Sequence, residues 1–189
     1  MSREERNDGL HVVFVCTGNR FRSPLAEAVF RRAAPPGVRT ESFGTTDVGP
    51  VPPLEAAQEA AGHFDLDLSG HVARALTRAD LARADLVIGF ERAHVLSAVV
   101  DARARRERTF TLTALVAILD GIQVAPRADR LASARRALEL LDLRGPFEST
   151  DNDEVADPLG RAPNVQHELA VRVESLVARL AQQLFVAPR

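Results

Sequence analysis

The 189 residues carry a formal net charge of −2, and this balance argues against a nucleic-acid-binding protein, which would gather a basic excess on one face. With 46% hydrophobic residues the chain can bury one substantial core, yet no segment is long and apolar enough to span a bilayer. Cys16 is the only cysteine, which excludes an internal disulfide and any zinc site built on two or more thiolates. The thiol must therefore matter through its reactivity or its packing.

The start of the chain and one basic cluster allow further predictions. Residues 1–9 are charged and lack the basic-then-apolar layout of a signal peptide, so we expect a flexible N-terminus in a cytoplasmic protein. Residues 10–186 are predicted to form a single domain. The arginines within residues 103–108 are predicted to be a solvated helix end and not a nucleic-acid site.

Residues 10–28 predict a strand, a loop and a helix in succession. Residues 12–15 are β-branched or aromatic without period-two alternation, which is typical of a strand buried on both faces of a parallel sheet. Ser23 followed by Pro24 predicts a helix N-cap with proline at the first helical position. A loop that starts at Cys16 therefore connects the predicted strand to the predicted helix.

Strand and helix patterns alternate along the rest of the chain. Further strands are predicted at residues 38–43, 85–90 and 108–112, and further helices at residues 54–61, 91–101, 113–120, 129–143 and 165–184. Thr77 with Asp80 predicts a capping box for a short helix that ends near Ala84, and Thr113 predicts the cap of the helix through residue 120. The series predicts an α/β fold with a small four-stranded parallel sheet and helices on both faces. The cysteine loop would join the first strand to the first helix, and the final helix would pack across the sheet.

The loop after the first strand suits a bound anion. Free N–H groups and the positive end of the helix dipole favour negative charge at a helix N-terminus. Gly18 and Asn19 tolerate left-handed conformations, so successive N–H groups of the loop can form an anion-binding nest. The same field favours the thiolate form of Cys16, and the planar fork of Arg22 could hold two phosphate oxygens. These residues predict a nucleophilic thiolate in a phosphate-binding loop; the alternative is a buried, inert cysteine with a surface arginine nearby.

Residues 16–24, CTGNRFRSP, resemble the signature loop of the low-molecular-weight protein tyrosine phosphatases, in which a cysteine, five residues, an arginine and a serine follow the first strand. That family carries its general acid far downstream in an Asp-Pro pair, which Asp157 and Pro158 match. The segments SFGTTDVGPVPP, LSGHVARAL and ADLVIGFERAHV also follow in the family's order. The resemblance covers nearly the whole chain and is weakest over residues 121–153.

The resemblance implies a role for each matching residue. Cys16 would attack phosphorus, Arg22 would stabilise the transferred group, and Asp157 would protonate the departing oxygen and later assist water. The phosphate-binding loop would comprise Thr17, Gly18, Asn19, Arg20, Phe21, Arg22 and Ser23. The family braces its loop asparagine and serine with a serine and a histidine, and the matching positions are Asn19, Ser23, Ser42 and His71. The implied chemistry uses no metal and no cofactor.

The resemblance also implies hydrolysis of phosphomonoesters, with phosphotyrosine in proteins as the default substrate. The partner would be a phosphorylated protein or a small phosphomonoester. Three departures bear on this: Arg20 replaces an aliphatic residue or threonine, Phe21 replaces a second cysteine, and Leu159 stands where relatives place an aromatic wall. Arg20 would favour an acidic substrate unless its side chain points to solvent. Without a second thiol, we expect slow recovery of Cys16 from peroxide.

Three alternative functions stay open at this level. A phosphoarginine phosphatase would share the loop and differ in substrate. A non-catalytic phosphate-binding or regulatory module would keep the loop without turnover. A thiol-dependent arsenate reductase shares the fold and the first loop, but it would need an external thiol because this chain has no second cysteine.

Overall fold

The computed structural model describes residues 9–122, 125, 129–144 and 154–186, and within these ranges the chain forms a four-stranded sheet. The strands are β1 (Leu10–Cys16), β2 (Val38–Gly44), β3 (Leu86–Gly89) and β4 (Thr109–Thr111). They lie in the order β2-β1-β3-β4, and each neighbouring pair is parallel. The predicted α/β fold is therefore confirmed, and each observed strand overlaps a predicted one.

Six α-helices surround the sheet in the described ranges. They are α1 (Arg22–Ala33), α2 (Glu55–His63), α3 (Arg92–Asp101), α4 (Leu112–Asp120), α5 (Arg130–Arg144) and α6 (Pro163–Leu184). Two short 3₁₀ turns, Leu76–Arg78 and Arg106–Arg108, precede β3 and β4. Across those same ranges, none of the helices combines the length and apolar character that a membrane crossing requires.

Strand β1 lies inside the sheet and is buried on both sides. Leu10, Val12 and Phe14 belong to a hydrophobic core that they share with α1, α4, α5 and α6. Val13 and Val15 belong to a second core on the other face, where α3 packs. Successive side chains of a strand face opposite sides, so burial on both faces explains why this strand is apolar without alternation. Helices cover both faces, as predicted.

The last helix packs mainly against other helices. Its principal contacts are with α1, α4, α2 and α5. Its buried residues recur every three or four positions: Ala170, Val173, Val177, Leu180, Ala181 and Leu184. They share the core that contains Phe14 of β1, so α6 closes this core from the helical side. Helix α6 therefore shares the core on this face of the sheet with β1, and its nearest backbone neighbours are other helices.

The predicted N-cap of α1 is wrong. The helix begins at Arg22, with Phe21 as the residue before it and no capping side chain. The hydroxyl of Ser23 instead lies 3.0 Å from the sulfur of Cys16. Ser23 is already the second residue of α1, and its hydroxyl bonds to Cys16 and Asn19 instead of to an N–H group of the first helical turn. Pro24 still lies in the first helical turn, where its missing N–H costs nothing.

Two other predicted caps also fail. Thr77 lies in a 3₁₀ turn that ends at residue 78, and the Asp80 carboxylate accepts the backbone N–H of Ala82 at 3.0 Å instead of closing a capping box. The helix α4 begins at Leu112, so Thr113 lies inside it. Asp and Thr side chains bond to nearby backbone groups in turns as well as at caps, which is why the pattern misplaced them.

The basic cluster at residues 103–108 is only partly solvated. Three of its arginines are exposed, but Arg108 is 8% exposed. Arg108 donates to the carboxylate of Asp142 in α5 at 2.5 Å and to the backbone carbonyl of Asp85 at 3.3 Å. The prediction of a solvated helix end is therefore wrong for Arg108, which joins the sheet to α5.

Candidate active site

The loop of residues 17–21 begins at the carboxyl end of β1 and lies against the carboxyl end of β2. Asn19 has a φ of +54°, which is the left-handed conformation that asparagine tolerates. The N–H of Thr45 donates to the carbonyl of Cys16 at 2.9 Å and ties the start of the loop to the chain after β2. A Cβ at Gly44 would come within 2.9 Å of backbone atoms of the loop, so this close approach requires glycine.

Cys16 is 2% exposed, and its sulfur faces hydrogen-bond donors of the loop. The sulfur lies 3.0 Å from the hydroxyl oxygen of Ser23 and accepts the N–H of Asn19 at 3.3 Å. Three other loop N–H groups make no hydrogen bond to any residue in the described ranges: those of Gly18, Arg20 and Phe21. The loop therefore offers a set of backbone donors next to the sulfur, as an anion-binding nest does.

The side chain of Asn19 directs the hydrogen bonds on the sulfur side of the loop. Its Oδ1 accepts the backbone N–H of Arg74 at 2.9 Å. Its Nδ2 consequently donates to the hydroxyl oxygens of Ser23 and Ser42, each at 2.8 Å. Because the Ser23 oxygen accepts from Asn19, its own hydrogen is available for the sulfur of Cys16, which is nearer than a backbone carbonyl at 3.4 Å.

Glu27 ends this chain of hydrogen bonds and was not found from the sequence. The residue is 9% exposed, and its Oε2 accepts the hydroxyl of Ser42 at 2.7 Å. Arg31 donates to its other oxygen at 3.2 Å. A carboxylate only accepts, so Glu27 orients the hydroxyl of Ser42 and leaves its lone pairs to Asn19. The available signal was its position in α1, one turn after Ser23 on the same side of the helix.

His71 lies against the backbone of the loop. Its Nε2 is 2.9 Å from the carbonyl oxygen of Asn19. Because a carbonyl oxygen only accepts, Nε2 carries the hydrogen. Burial lowers the pKa of His71, which keeps the ring neutral near pH 7. The structure thus brings His71 to the loop, although its partner is the backbone of Asn19.

Arg22 is 1% exposed, and four acceptors surround its guanidinium. Nη1 donates to a carboxylate oxygen of Glu91 and to the carbonyl of Val155 at 2.9 Å. Nη2 donates to the hydroxyl oxygen of Thr17 at 3.0 Å and to Oδ2 of Asp157 at 2.5 Å. A buried cation is stable only with such partners, and two of these carry negative charge.

Asp157 reaches the loop from a segment far along the chain. Its Oδ2 is bound to Arg22, and its Oδ1 accepts the N–H of Leu159 at 3.0 Å. The side chain is 39% exposed, in contrast to the buried guanidinium beside it. The carboxylate is therefore both fixed next to the cation and open to solvent, as a group that exchanges protons with a substrate must be.

The acidic neighbours of Asp157 do not share this position. Glu154 accepts the backbone N–H of Arg92, at the start of α3, at 3.0 Å. Asp151 and Asp153 lie outside the described residues. Within the described ranges, no group of three or more His, Cys, Asp or Glu side chains could hold a metal ion.

His94 is a second residue that sequence reasoning missed. It is 2% exposed, its Nδ1 faces the N–H groups of Phe90 and Glu91, and its Nε2 lies 3.1 Å from the hydroxyl oxygen of Thr17. Burial, with the positive charge of Arg22 adding to it, lowers the pKa of His94 to about 4. The usable signal was its place just after β3, since the carboxyl ends of parallel strands form sites at one edge of a sheet.

The side chains of Arg20 and Phe21 are engaged with the protein itself. The Nε of Arg20 donates to the carbonyl of Pro52 at 2.9 Å, and its own carbonyl accepts the N–H of Leu54 at 2.9 Å. Arg20 is therefore tied to the segment before α2. Phe21 is 4% exposed and belongs to the core, so only its backbone can take part in binding.

A family model described as low molecular weight phosphotyrosine protein phosphatase matches residues 11–121. The chain belongs to this phosphatase family. The match contains the cysteine loop, Ser42, His71 and His94, whereas Asp157 lies beyond it. The position of Asp157 at the site therefore comes from its geometry beside Arg22, and not from the family match.

Three similar proteins illustrate the relationship. The probable low-molecular-weight protein-tyrosine-phosphatase EpsP of Ralstonia nicotianae is 38% identical over 77 residues, 41% of this chain and 52% of that protein. The protein-arginine-phosphatase of Bacillus subtilis is 25% identical over 180 residues, 93% of this chain and 97% of that protein. The structure of the low-molecular-weight protein tyrosine phosphatase from T. tengcongensis has a TM-score of 0.67 and 26% identity, covering 93% of this chain and 100% of that one. The chain thus spans about half the length of the tyrosine phosphatase EpsP.

Proposed function

We propose that the protein is a cysteine-dependent phosphatase that hydrolyses phosphomonoesters through a cysteinyl-phosphate intermediate, with phosphotyrosine in proteins as its first substrate class. The observation that carries the proposal is the convergence of Cys16, Arg22 and Asp157 at one loop, whose backbone donors lie next to the sulfur as in an anion-binding nest. The partner is a phosphorylated protein or a small phosphomonoester. A cytoplasmic location fits the single free thiol, and residues 10–186 would act as one domain.

In the first step, the thiolate of Cys16 attacks phosphorus in line, and the bond from phosphorus to the leaving oxygen breaks. The N–H groups of residues 17–22 and the guanidinium of Arg22 stabilise the charge on the equatorial oxygens. Asp157 donates a proton to the leaving oxygen. The products are the free alcohol or phenol and a phosphorylated cysteine.

In the second step, water attacks the phosphorylated cysteine while the carboxylate of Asp157 accepts a proton from that water. The bond between sulfur and phosphorus breaks, and inorganic phosphate leaves. Ser23 supports this departure because its hydroxyl hydrogen is free to bond the returning thiolate, 3.0 Å away. Asn19 holds Ser23 in that orientation, and Ser42 and His71 brace Asn19.

Phosphoarginine in proteins is the second candidate substrate. A specific observation favours it: the relative named protein-arginine-phosphatase matches 93% of this chain, whereas EpsP matches 41%. The aromatic wall that would sandwich a phosphotyrosine ring is also reduced, because Leu159 follows the Asp-Pro pair and is 66% exposed. Both substrates would use the same thiolate and the same acid.

Hydrolysis of a simple aryl phosphate, with and without vanadate, tests the proposal. We expect turnover that vanadate blocks, since vanadate occupies a phosphate site in a transition-state geometry. Binding of phosphate without any turnover would show a non-catalytic module instead. Arsenate reduction that depends on an added thiol, without phosphate release, would show the reductase.

A panel of phosphotyrosine peptide, phosphoarginine peptide and a small alkyl phosphate, compared by kcat/KM, then decides the substrate class. A phosphatase of tyrosine should prefer the first by at least about tenfold. Preference for the second would contradict the default substrate while leaving the thiolate mechanism in place.

A further inference from the structure

The hydrogen on the ring of His94 is fixed by the neighbours of that ring. Its Nδ1 lies 3.3 Å from the backbone nitrogen of Phe90 and 3.1 Å from that of Glu91. Both of these groups can only donate, so Nδ1 is an acceptor and is unprotonated. A neutral imidazole carries one hydrogen, which must therefore be on Nε2. His94 thus donates to the hydroxyl oxygen of Thr17, and the reverse direction is excluded.

The hydroxyl of Thr17 consequently has one possible role left. Its oxygen accepts from Nε2 of His94 at 3.1 Å and from Nη2 of Arg22 at 3.0 Å. A hydroxyl has two lone pairs and one hydrogen, so both lone pairs are now used. The hydrogen must be donated to a third group. Among the described residues, none accepts it.

The surroundings of this hydroxyl place it beside the residues that would bind the substrate. Nη2 of Arg22 lies between the hydroxyl oxygen of Thr17 and Oδ2 of Asp157. The hydroxyl therefore adjoins both the proposed phosphate-binding cation and the proposed acid. A ligand oxygen that sits in the loop and accepts from Nη2 of Arg22 would also lie within reach of the Thr17 hydrogen.

We infer that the Thr17 hydroxyl donates a hydrogen bond to a phosphoryl oxygen that Arg22 also binds, and that His94 is the positioning residue that holds the hydroxyl in this donor role. The inference rests on the proposed phosphatase function, because it assigns a further donor to the same transferred group. Thr17 touches the substrate, and His94 acts only through Thr17.

Two substitutions of His94 separate its positioning role from its structural role. In His94→Asn, the amide oxygen can replace Nδ1 as the acceptor for the two backbone N–H groups, but the side chain is too short to reach Thr17. In His94→Gln, the amide nitrogen can reach Thr17, but the acceptor at the position of Nδ1 is lost. We expect His94→Asn to keep the Tm and to lower kcat about tenfold, the loss of one charge-assisted hydrogen bond. We expect His94→Gln to lower the Tm and to keep kcat within about twofold.

Two substitutions of Thr17 complete the test. Thr17→Ser keeps the hydroxyl, so its kcat should stay within about threefold of the wild-type value. The isosteric Thr17→Val should lower kcat by at least about tenfold. Because His94 acts through Thr17, adding His94→Asn to Thr17→Val should lower kcat no further. Effects that multiply in the double variant would overturn the inference, because they would show that His94 acts independently.

The opposite pattern for the two His94 variants would also overturn it. If His94→Asn kept kcat, or if His94→Gln lost activity equally, the ring would be a structural residue. Failure of the proposed function is a different result, because the wild-type chain itself would then release no phosphate. In that case the affinity for tungstate decides: a weaker affinity in Thr17→Val and His94→Asn, but not in Thr17→Ser, supports the donor role, and equal affinities refute it.

Discussion

The loop has two sides that are held in different ways. The sulfur side comprises Asn19, Ser23, Glu27 and Ser42. The arginine side comprises Arg22, Glu91, His94 and Asp157. On the sulfur side, neutral side chains form a series of hydrogen bonds that ends at the buried carboxylate of Glu27. All of these residues come from the loop, α1 or β2. On the arginine side, a buried cation is bound by acceptors from the start of α3 and from residues 155–157.

This difference teaches how stability and reactivity are divided at the site. The sulfur side is complete without substrate, because each hydrogen bond in its chain is satisfied within the protein. The arginine side binds carboxylates with the same N–H groups that a phosphate would use. We therefore expect changes on the sulfur side to alter the nucleophile and the fold, and changes on the arginine side to alter binding and proton transfer.

The largest expected effect comes from the sulfur itself. Cys16→Ser should reduce aryl phosphate hydrolysis by at least about 10³-fold, because a serine hydroxyl is not ionised near neutral pH. Its oxygen can keep the contacts with Ser23 and Asn19, so the Tm and the affinity for phosphate should change little. Retention of most activity would show that the sulfur is not the nucleophile.

On the arginine side, Asp157→Asn should lower kcat about 10²-fold, because the amide cannot protonate the leaving oxygen. The affinity for inorganic phosphate should rise, because the substitution removes a negative charge that binds the same guanidinium. The matched control is Glu154→Gln, which changes an acidic neighbour bonded to α3 and should keep kcat within about twofold. An equal loss of kcat in Asp157→Asn and Glu154→Gln would show that Asp157 is not the general acid.

A smaller effect is expected from the middle of the sulfur side. Ser42→Ala should destabilise the fold by about 1–3 kcal/mol and lower kcat several-fold, because Nδ2 of Asn19 and the carboxylate of Glu27 lose a buried partner. Urea unfolding and steady-state kinetics measure the two effects. Ser69→Ala, at an exposed serine, is the control and should change neither quantity. An unchanged free energy of unfolding in Ser42→Ala would contradict the chain of hydrogen bonds described here.

A pH dependence of stability is expected on the arginine side, and it is the smallest effect near neutral pH because it develops only as the pH falls below about 6.5. The pKa of His94 is about 4 in the fold against 6.5 for the free side chain, so the unfolded chain binds more protons between these values. Its contribution is complete above about pH 6.5 and declines as the pH falls toward 4, by up to about 1 kcal/mol per pH unit. Arg22 strengthens the effect, and Asp157 and Glu154 oppose it. The free energy of unfolding of His94→Asn should depend less on pH over this range, and parallel curves for the two proteins would refute the assignment.

Much of the fold could be predicted because it depends on local patterns. The apolar run of β1 and the Ser-Pro pair after the loop located the first strand, the loop and the first helix to within two residues. The error at the N-cap has a tertiary cause, since the Ser23 hydroxyl is bonded to Cys16. Arg108 is buried although a solvated position is predicted for it, because its partner Asp142 is 34 residues away in the sequence.

The two sides of the loop were also unequal in how far the sequence revealed them. The motif resemblance points to Asn19, Ser23 and Ser42, and in the structure Asn19 donates hydrogen bonds to both serines. Their roles in turnover stay predictions. Glu91 and His94 were not predicted, because their position just after β3 suggests the site edge of the sheet but does not show which of these side chains faces the loop. Only the pairing of β3 with β1 brings the start of α3 next to Thr17.

The pair of Arg22 and Asp157 has a consequence for how any anion enters. With its terminal N–H groups bound by acceptors of the chain, the guanidinium can take a phosphate only by giving up one of them, and Asp157 is the exposed one. Entry of the anion is then an exchange of one negative charge for another. The measured affinity would report the difference between two ligands, one of which is part of the protein. Asp157 thus competes with the incoming anion for Arg22. A substitution at Asp157 would change the affinity for the anion without altering the loop.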